Sequence, residues 1–316
     1  MKAKSHINNL FLLPLFTIFL TIVPLSLGAN AAGIKPRREM LVSAKWLAKR
    51  LGRSEIAILH IAPDRQSYDK GHIPGARFVP LSEIIIARDG LPNELPPVAE
   101  LQKLFIRLGV GETGRIILYG EPNALSATRT LLTLAYLGHD ARAAILDGGL
   151  EVWKAENRPL EKDSPAITPA TFTPRLNPGL LINHQAVRDL SWLAANTEGA
   201  AVTIIDSRSA DVYAGSAEKK TGHIPGAVNL FWMDHFEKKP GHAGKMRPIE
   251  DLRRDYASIG VAPGRLIATY CNTGMQSSHT WFTLRYLGYD VLLYDGSMTE
   301  WSRIAGAPVV SGKSPK

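Results

Sequence analysis

Cysteine is nearly absent from this sequence, which has one thiol, Cys271, in 316 residues. A single cysteine cannot form an intramolecular disulfide, and without a Cys-x-x-Cys pair the chain cannot run thiol–disulfide exchange on its own. No cluster of cysteine and histidine has the spacing of metal ligands, so we expect neither a metal site nor a cofactor. The thiol is therefore either a small buried apolar side chain or a reactive group.

Long apolar segments and basic clusters are also missing from most of the chain. Beyond the N-terminal region, no run is long and apolar enough to span a membrane. The formal net charge of +8 is spread along the sequence, without the interleaved basic and aromatic residues that are typical of nucleic-acid binding. We therefore expect no nucleic-acid partner, although a basic surface attracts small anions.

The N-terminal residues have the features of a secretory leader. Two lysines precede the apolar run "LFLLPLFTIFLTIVPLSLG", and "ANA" at Ala29–Ala31 has the small-x-small form of a signal-peptidase site. We predict that residues 1–31 are a signal peptide, and that the mature protein is periplasmic or secreted, without stable membrane insertion. An uncleaved membrane anchor is the alternative, which the two prolines inside the run disfavour.

The rest of the chain is a tandem repeat. The segment "GHIPGARFVPL" at Gly71 returns as "GHIPGAVNLFW" at Gly222, and "LAYLGHDARAAILDGG" at Leu134 returns as "LRYLGYDVLLYDGS" at Leu284. The matching segments keep the same order in both copies, which indicates a duplicated domain. The first half spans residues 39–159 and the second half spans residues 180–310. Residues 160–179 between them form a linker rich in proline and threonine.

Strands and helices alternate within each half. The short apolar runs "AVTIID", "RLIATY" and "VLLYDG" are typical of buried parallel strands, and "EIAILHI", "GRIILYG" and "ARAAILDG" occupy the same places in the first half. This alternation predicts an α/β fold with two tandem domains, each an open, mostly parallel sheet flanked by helices. Proteins with such sheets have their binding and active sites at the carboxyl ends of the strands. Cys271 directly follows one of the predicted strands.

The loop that begins at Cys271 favours a reactive thiol. It is short and polar, contains a glycine, and leads into the predicted helix "SSHTWFTLRYLG". Backbone N–H groups and the positive end of a helix dipole both favour thiolate, the nucleophilic form. The candidate loop residues are Cys271, Asn272, Thr273, Gly274, Met275, Gln276 and Ser277.

Four motifs in order, "IIDSR", "GHIPGAVNL", the cysteine loop and "YDGSMTEW", identify a family. The chain resembles the two-domain rhodaneses, which are thiosulfate and 3-mercaptopyruvate sulfurtransferases. The resemblance implies that Cys271 accepts a sulfane sulfur from a small anionic donor, forms a persulfide, and passes the sulfur to a thiophilic acceptor. It also implies that Asp206 and Arg208 form a buried ion pair beside the loop, with Arg208 near the substrate.

The first half resembles the inactive partner domain of such proteins. Gly120 or Glu121 stands where the nucleophile would be, and "DSR" in the second half is matched to Ile61, Ala62 and Pro63 in the first. His72 matches a first-domain histidine of the mercaptopyruvate enzymes that transfers protons, but "GHIPGA" also recurs in the second half. A structural role for His72 therefore stays open.

The sequence indicates the nucleophile more directly than it indicates the sulfur donor. Thiosulfate enzymes of the family carry basic residues in the cysteine loop and an arginine at the position of Val212, and this chain has neither. We expect thiosulfate to be the donor, weakly bound, with Lys245 or Arg247 as a substitute source of charge. The alternatives are a 3-mercaptopyruvate sulfurtransferase and a persulfide carrier for an unknown protein acceptor. A phosphatase of this fold would need an arginine where Ser277 stands.

Overall fold

The computed structural model describes residues 33–216, 218, 219, 221–239, 242 and 244–316. The predicted signal peptide, residues 1–31, lies outside this range. The described residues, from 33 onward, form one compact unit. No helix within the described ranges has the length and hydrophobicity that crossing a membrane requires.

The first half contains seven strands and five helices within the described residues. Its strands are β1 (Leu41–Val42), β2 (Ile56–Ala62), β3 (Ala76–Pro80), β4 (Ile86–Arg88), β5 (Leu91–Glu94), β6 (Arg115–Tyr119) and β7 (Ala143–Leu146). Its helices are α1 (Ala44–Ala48), α2 (Gln66–Lys70), α3 (Val98–Arg107), α4 (Leu125–Tyr136) and α5 (Gly149–Ala155).

Among its described residues, the second half repeats this order without the β4–β5 pair. Its strands are β8 (Leu181–Ile182), β9 (Val202–Asp206), β10 (Ala227–Asn229), β11 (Leu266–Tyr270) and β12 (Leu292–Tyr294). Its helices are α6 (His184–Asn196), α7 (Ala210–Ala214), α8 (Ile249–Ser258), α9 (Met275–Leu287) and α10 (Ser297–Trp301).

Each half carries a five-stranded parallel sheet, in the order β1-β7-β6-β2-β3 in the first half and β10-β9-β11-β12-β8 in the second. Helices flank both sheets, so the predicted fold class is confirmed. Because all five strands of a sheet run the same way, their carboxyl ends meet at one edge. The cysteine loop begins at this edge, directly after β11.

The strand register corrects the predicted match between the two halves. In the second half Asp206 pairs with Tyr270, and in the first half His60, not Ile61, pairs with the equivalent Tyr119. Arg208 therefore corresponds to Ala62. The segments between this strand and the "GHIPGA" motif differ in length, so sequence matching alone does not fix the register.

The two halves pack on each other through α4 and α9. These helices meet at Thr128 and Ser278, whose hydroxyl oxygens are 3.5 Å apart. One apolar cluster of buried side chains includes residues of both helices, among them Leu131 and Phe282. The two helices occupy equivalent positions in the repeat.

Candidate active site

Cys271 lies at the carboxyl end of β11 and is 1% exposed. Its backbone N–H donates to Oγ of Ser297 at 3.1 Å. The hydroxyl of Ser277, in the first turn of α9, donates to Sγ of Cys271 at 3.5 Å. The same hydroxyl lies 3.1 Å from the carbonyl oxygen of Gly274, so its one proton is shared between two acceptors. The structure thus brings Ser277 to the sulfur, as the predicted loop requires.

The loop carbonyls are held by the start of α10. The N–H of Met298 donates to the carbonyl oxygen of Cys271 at 3.1 Å, and the N–H and Oγ1 of Thr299 donate to that of Asn272 at 3.0 and 2.7 Å. In a trans peptide the N–H points opposite to the C=O. The N–H groups of Asn272 and Thr273 therefore point away from α10.

Gly274 forms the bend between the loop and α9. Its φ of +82° lies in the left-handed region that favours glycine. Met275 then opens a helix of 13 residues, whose N-terminal N–H groups carry partial positive charge. Gln276 is half-buried, and its Oε1 is buried without a hydrogen-bond partner among the described residues. The predicted strand–loop–helix arrangement is present.

Asp206 and Arg208 form the buried ion pair that the sequence predicted. Nε of Arg208 donates to the two carboxylate oxygens of Asp206 at 2.9 and 3.0 Å. Burial alone lowers the pKa of Arg208, but the hydrogen bonds and charge of Asp206 outweigh it, so the pKa is raised. Nη1 of Arg208 donates to Oδ1 of Asn272 at 3.4 Å, which connects the pair to the cysteine loop.

A cavity of about 680 Å³ opens beside this contact. Its lining includes Arg208, Lys219, Arg303 and Asn272, together with a single acidic residue, Asp211. The loop itself has no basic side chain, as expected, but other segments supply positive charge next to it.

Lys245 and Arg247, expected to supply this charge, are not brought to the loop. Arg247 donates to Oδ2 of Asp255 at 2.5 Å, and a Cβ added at Gly148 of the first half would lie 3.1 Å from Cγ of Lys245. These contacts of the two side chains are with Gly148 and Asp255 and not with the cysteine loop, and the expectation that either residue supplies charge to the loop stays a prediction.

His72 is completely buried within the first half. Its ring stacks on Tyr68 at 3.6 Å, and its Nδ1 lies 2.9 Å from the carbonyl oxygen of the same residue. His223 has the same environment in the second half, stacked on Tyr213 at 3.7 Å. The ring contact and the side-chain hydrogen bond of His72 lie within its own half, and its backbone pairs with Glu161 of the linker, so the structure does not bring it to Cys271.

Sequence reasoning missed several residues that contact the cysteine loop or support it, namely Asn93, Arg129, Asp295, Ser297, Met298 and Thr299. The signal for Arg129 was visible, since it is the one charged side chain in "LSATRTLLTLAY", a helix that is buried along most of its length. Within the described residues, no three His, Cys, Asp or Glu side chains come close enough together to hold a metal ion.

Sequence comparison identifies relatives over most of the chain. A family model for the rhodanese-like domain matches residues 43–156 and 189–304. The sulfur carrier protein TtuD from Thermus thermophilus is 32% identical over 294 residues, which cover 87% of this chain and 98% of that protein. A thiosulfate sulfurtransferase from Corynebacterium glutamicum is 29% identical over 293 residues, which cover 88% and 92% of the two chains.

Solved structures give the same result for the fold. The crystal structure of the 3-mercaptopyruvate sulfotransferase SseA from Escherichia coli matches with a TM-score of 0.70 and 28% identity, over 82% of this chain and 98% of that one. The structure of YnjE matches with a TM-score of 0.75 at 22% identity, over 89% of this chain and 71% of that one. At that identity the second match supports the fold alone.

Proposed function

The chain belongs to the rhodanese family, and on that basis we propose that it is a thiosulfate sulfurtransferase that works through a persulfide on Cys271. The observation that carries the proposal is the position of the only thiol: it follows β11, precedes the N-terminus of α9 and accepts a hydrogen bond from Ser277. A position between a parallel strand and the N-terminus of a helix is typical of a nucleophilic cysteine, and it therefore supports this role.

The proposed reaction has two displacements and no net oxidation. The thiolate of Cys271 attacks the outer sulfur of thiosulfate, the S–S bond of the donor breaks, and sulfite leaves with the electron pair. The carbon of cyanide, or another thiophilic acceptor, then attacks the outer sulfur of the persulfide. Thiocyanate leaves, and the electron pair of the broken S–S bond restores the thiolate. Cyanide is the acceptor used to test the reaction and need not be the natural one.

The cavity beside Asn272 supports an anionic donor. Arg208, Lys219 and Arg303 outnumber Asp211 in its lining, so the cavity favours a dianion such as thiosulfate. Much of the hydrogen-bonding capacity of Arg208 is used by Asp206, which is consistent with weak binding of the donor.

Substituting Val212 by arginine tests the donor. Val212 is 44% exposed and lines the same cavity, so a new guanidinium has room to reach a bound anion. We expect Val212→Arg to lower the KM for thiosulfate about tenfold, the worth of one charge-assisted hydrogen bond, with a smaller change in kcat. The measurement is kcat and KM for wild type and variant with thiosulfate and with 3-mercaptopyruvate. A wild-type kcat/KM that strongly favours 3-mercaptopyruvate contradicts thiosulfate as the donor.

A persulfide carrier is the second candidate, favoured by the relative named sulfur carrier protein at 32% identity. A carrier takes up one sulfur atom per chain but turns over slowly with cyanide, because its acceptor is another protein. Steady-state thiocyanate formation separates the two: many turnovers support the enzyme, and a single stoichiometric burst supports the carrier.

We also propose that the protein acts outside the cytoplasm, since residues 1–31 read as a leader. Cell fractionation followed by mass measurement of the intact protein tests this. A soluble periplasmic or secreted chain that begins at Ala32 supports the proposal, and a cytoplasmic chain that keeps the leader contradicts it.

A further inference from the structure

The hairpin β4–β5 of the first half extends to the cysteine loop of the second. Nδ2 of Asn93 donates to Oγ1 of Thr273 at 2.8 Å and to its carbonyl oxygen at 3.3 Å. At the tip of the hairpin, Nη1 of Arg303 donates to the carbonyl oxygen of Asp89 at 3.4 Å. The half that lacks a thiol therefore contacts the loop of the half that has one.

Arg129, in α4 of the first half, supports this hairpin through hydrogen bonds. The side chain is 0% exposed, and Nη1 and Nη2 donate to the two carboxylate oxygens of Asp295 at 2.5 and 2.8 Å. Nη2 also donates to the carbonyl oxygen of Asn93. Burial alone lowers the pKa of Arg129, but the charge and hydrogen bonds of Asp295 outweigh it and raise the pKa, so the group stays a cation.

The ion pair lies directly against the cysteine loop. A Cβ added at Gly274 would be 2.1 Å from Oδ1 of Asp295 and 3.3 Å from Nη1 of Arg129. Asn93 contacts Thr273, the residue just before this glycine. Thr273 is thus held by Asn93, whose carbonyl oxygen accepts a hydrogen bond from the buried guanidinium, and Gly274 packs against the same ion pair.

The repeat shows that the fold does not require this arrangement. By the matched helices and the "DG" motifs, Arg129 corresponds to His279 and Asp295 corresponds to Asp147. His279 lies beside another histidine, His235, with 3.2 Å between their Nδ1 atoms, and Asp147 accepts a backbone N–H. The arginine–aspartate pair occurs at the loop that carries the thiol and is replaced at the equivalent loop.

We propose that Asn93 and Arg129 are positioning residues of the active site, by which the first half holds the cysteine loop in its reactive conformation. Asn93 holds Thr273 directly, whereas Arg129 acts through Asn93 and Asp295. The proposal deepens the sulfurtransferase function proposed above and rests on it. By this proposal the first half, which has no nucleophile, contributes to the reaction at Cys271 in the second half.

The test uses the only thiol of the chain as its own reporter. Because the chain has no other cysteine, the rate of alkylation by iodoacetamide reports on Cys271 alone. The variants are Asn93→Ala and Arg129→Lys, which keeps the charge but loses the bidentate geometry. Asp89→Asn, on the exposed tip of the same hairpin, is the matched control. Alkylation is followed as a function of pH, with kcat and KM for thiosulfate and the melting temperature measured in parallel.

We expect Asn93→Ala to slow both alkylation near pH 7 and kcat about three- to tenfold, the worth of one hydrogen bond, with little change in melting temperature. Arg129→Lys shows the same changes in larger measure, and Asp89→Asn behaves as wild type. In a Thr273→Val background, Asn93→Ala loses most of its effect, because the side-chain acceptor is already gone.

An unchanged alkylation profile and kcat in both Asn93→Ala and Arg129→Lys overturn the proposal. A lower melting temperature with a normal profile also overturns it, since that combination marks a purely structural role. The alkylation profile does not depend on the sulfur donor. A wild-type protein that fails to turn over thiosulfate therefore contradicts the proposed function, and not the positioning of the loop.

Discussion

His60 and Asp206 occupy the same strand position in the two halves and give it opposite chemistry. Asp206 pairs with Arg208, which donates to Asn272 of the cysteine loop. His60 is buried next to Ser67, and its pKa is lowered to about 4, first by burial and then by the charges of His72 and of a lysine. The first half has thus replaced an ion pair by a neutral histidine.

This histidine predicts a loss of stability in mild acid. The unfolded chain takes up a proton at His60 below about pH 6.5, whereas the folded protein does so only near pH 4. The free energy of unfolding therefore falls as the pH drops through this window, by about 3 kcal/mol from this one group. We expect urea unfolding of His60→Asn to show a shallower pH dependence than wild type between about pH 6.5 and 4.

The buried His235, whose pKa is lowered to about 3 by burial and then by Arg247, keeps part of the slope in the variant. An identical slope in His60→Asn and wild type contradicts the account of His60.

Residue roles were predictable where a local motif carried them. Cys271 stood out because it is the only thiol and lies between a strand and a helix, and the "DSR" motif marked the ion pair. Arg129 and Asp295 are 166 residues apart in sequence, so no local pattern joins them. Their contact depends on how the two halves pack, which the repeat alone does not specify.

At the level of secondary structure, the loop from Cys271 to Gly274 depends on a glycine with two requirements. The φ of +82° needs a residue that tolerates the left-handed region, and the carboxylate of Asp295 leaves no space for a side chain. Gly264, just before β11, shares the first requirement with φ of +80°, but no atom of the described residues lies within 4 Å of a Cβ placed there. Comparing substitutions at the two glycines therefore distinguishes the effect of backbone strain from the effect of a steric clash.

Replacing each glycine by alanine tests the second requirement. Both substitutions cost about 1–2 kcal/mol for the left-handed conformation. Gly274→Ala also displaces the loop or the Arg129–Asp295 pair, and since a displacement of about 1 Å can cost about a hundredfold in rate, we expect a loss of that order in kcat. Gly264→Ala keeps wild-type kcat. Equal activity of the two variants would show that the packing at Gly274 is unimportant.

The three central strands of each sheet, β7, β6 and β2 in the first half and β9, β11 and β12 in the second, were predictable because each is a short apolar run, whereas the hairpin β4–β5 was missed. Its signal was present: Asp89 and Gly90, both with positive φ, connect two strands that pair directly at Arg88 and Leu91. An Asp-Gly pair is a strong hairpin signal. The flanking strands are short and polar, and β5 contains Pro92, so they lack the alternating apolar pattern that marks a strand.

The two halves of the molecule act as one body because α4 and α9 bury each other's surfaces. α4 is buried along most of its length, and the main apolar cluster includes residues of both halves. The predicted duplication explains the pairing of equivalent helices, but it does not predict which side chains of the first half reach the cysteine loop.

Removing the first half tests whether it is needed. A chain starting at residue 180 exposes the apolar face of α9 and loses the Arg129–Asp295 pair, so we expect poor solubility and little sulfurtransferase activity. Sedimentation and thiocyanate formation measure the two effects. A soluble, fully active second half would mean that the first half only accompanies it.

The most direct test of the central claim is the mass of the intact protein after incubation with thiosulfate. If Cys271 is the sulfur acceptor, wild type gains the mass of one sulfur atom, loses it again when cyanide is added, and Cys271→Ser gains none. A wild-type protein that takes up no sulfur, or a Cys271→Ser protein that keeps the adduct, contradicts the persulfide mechanism.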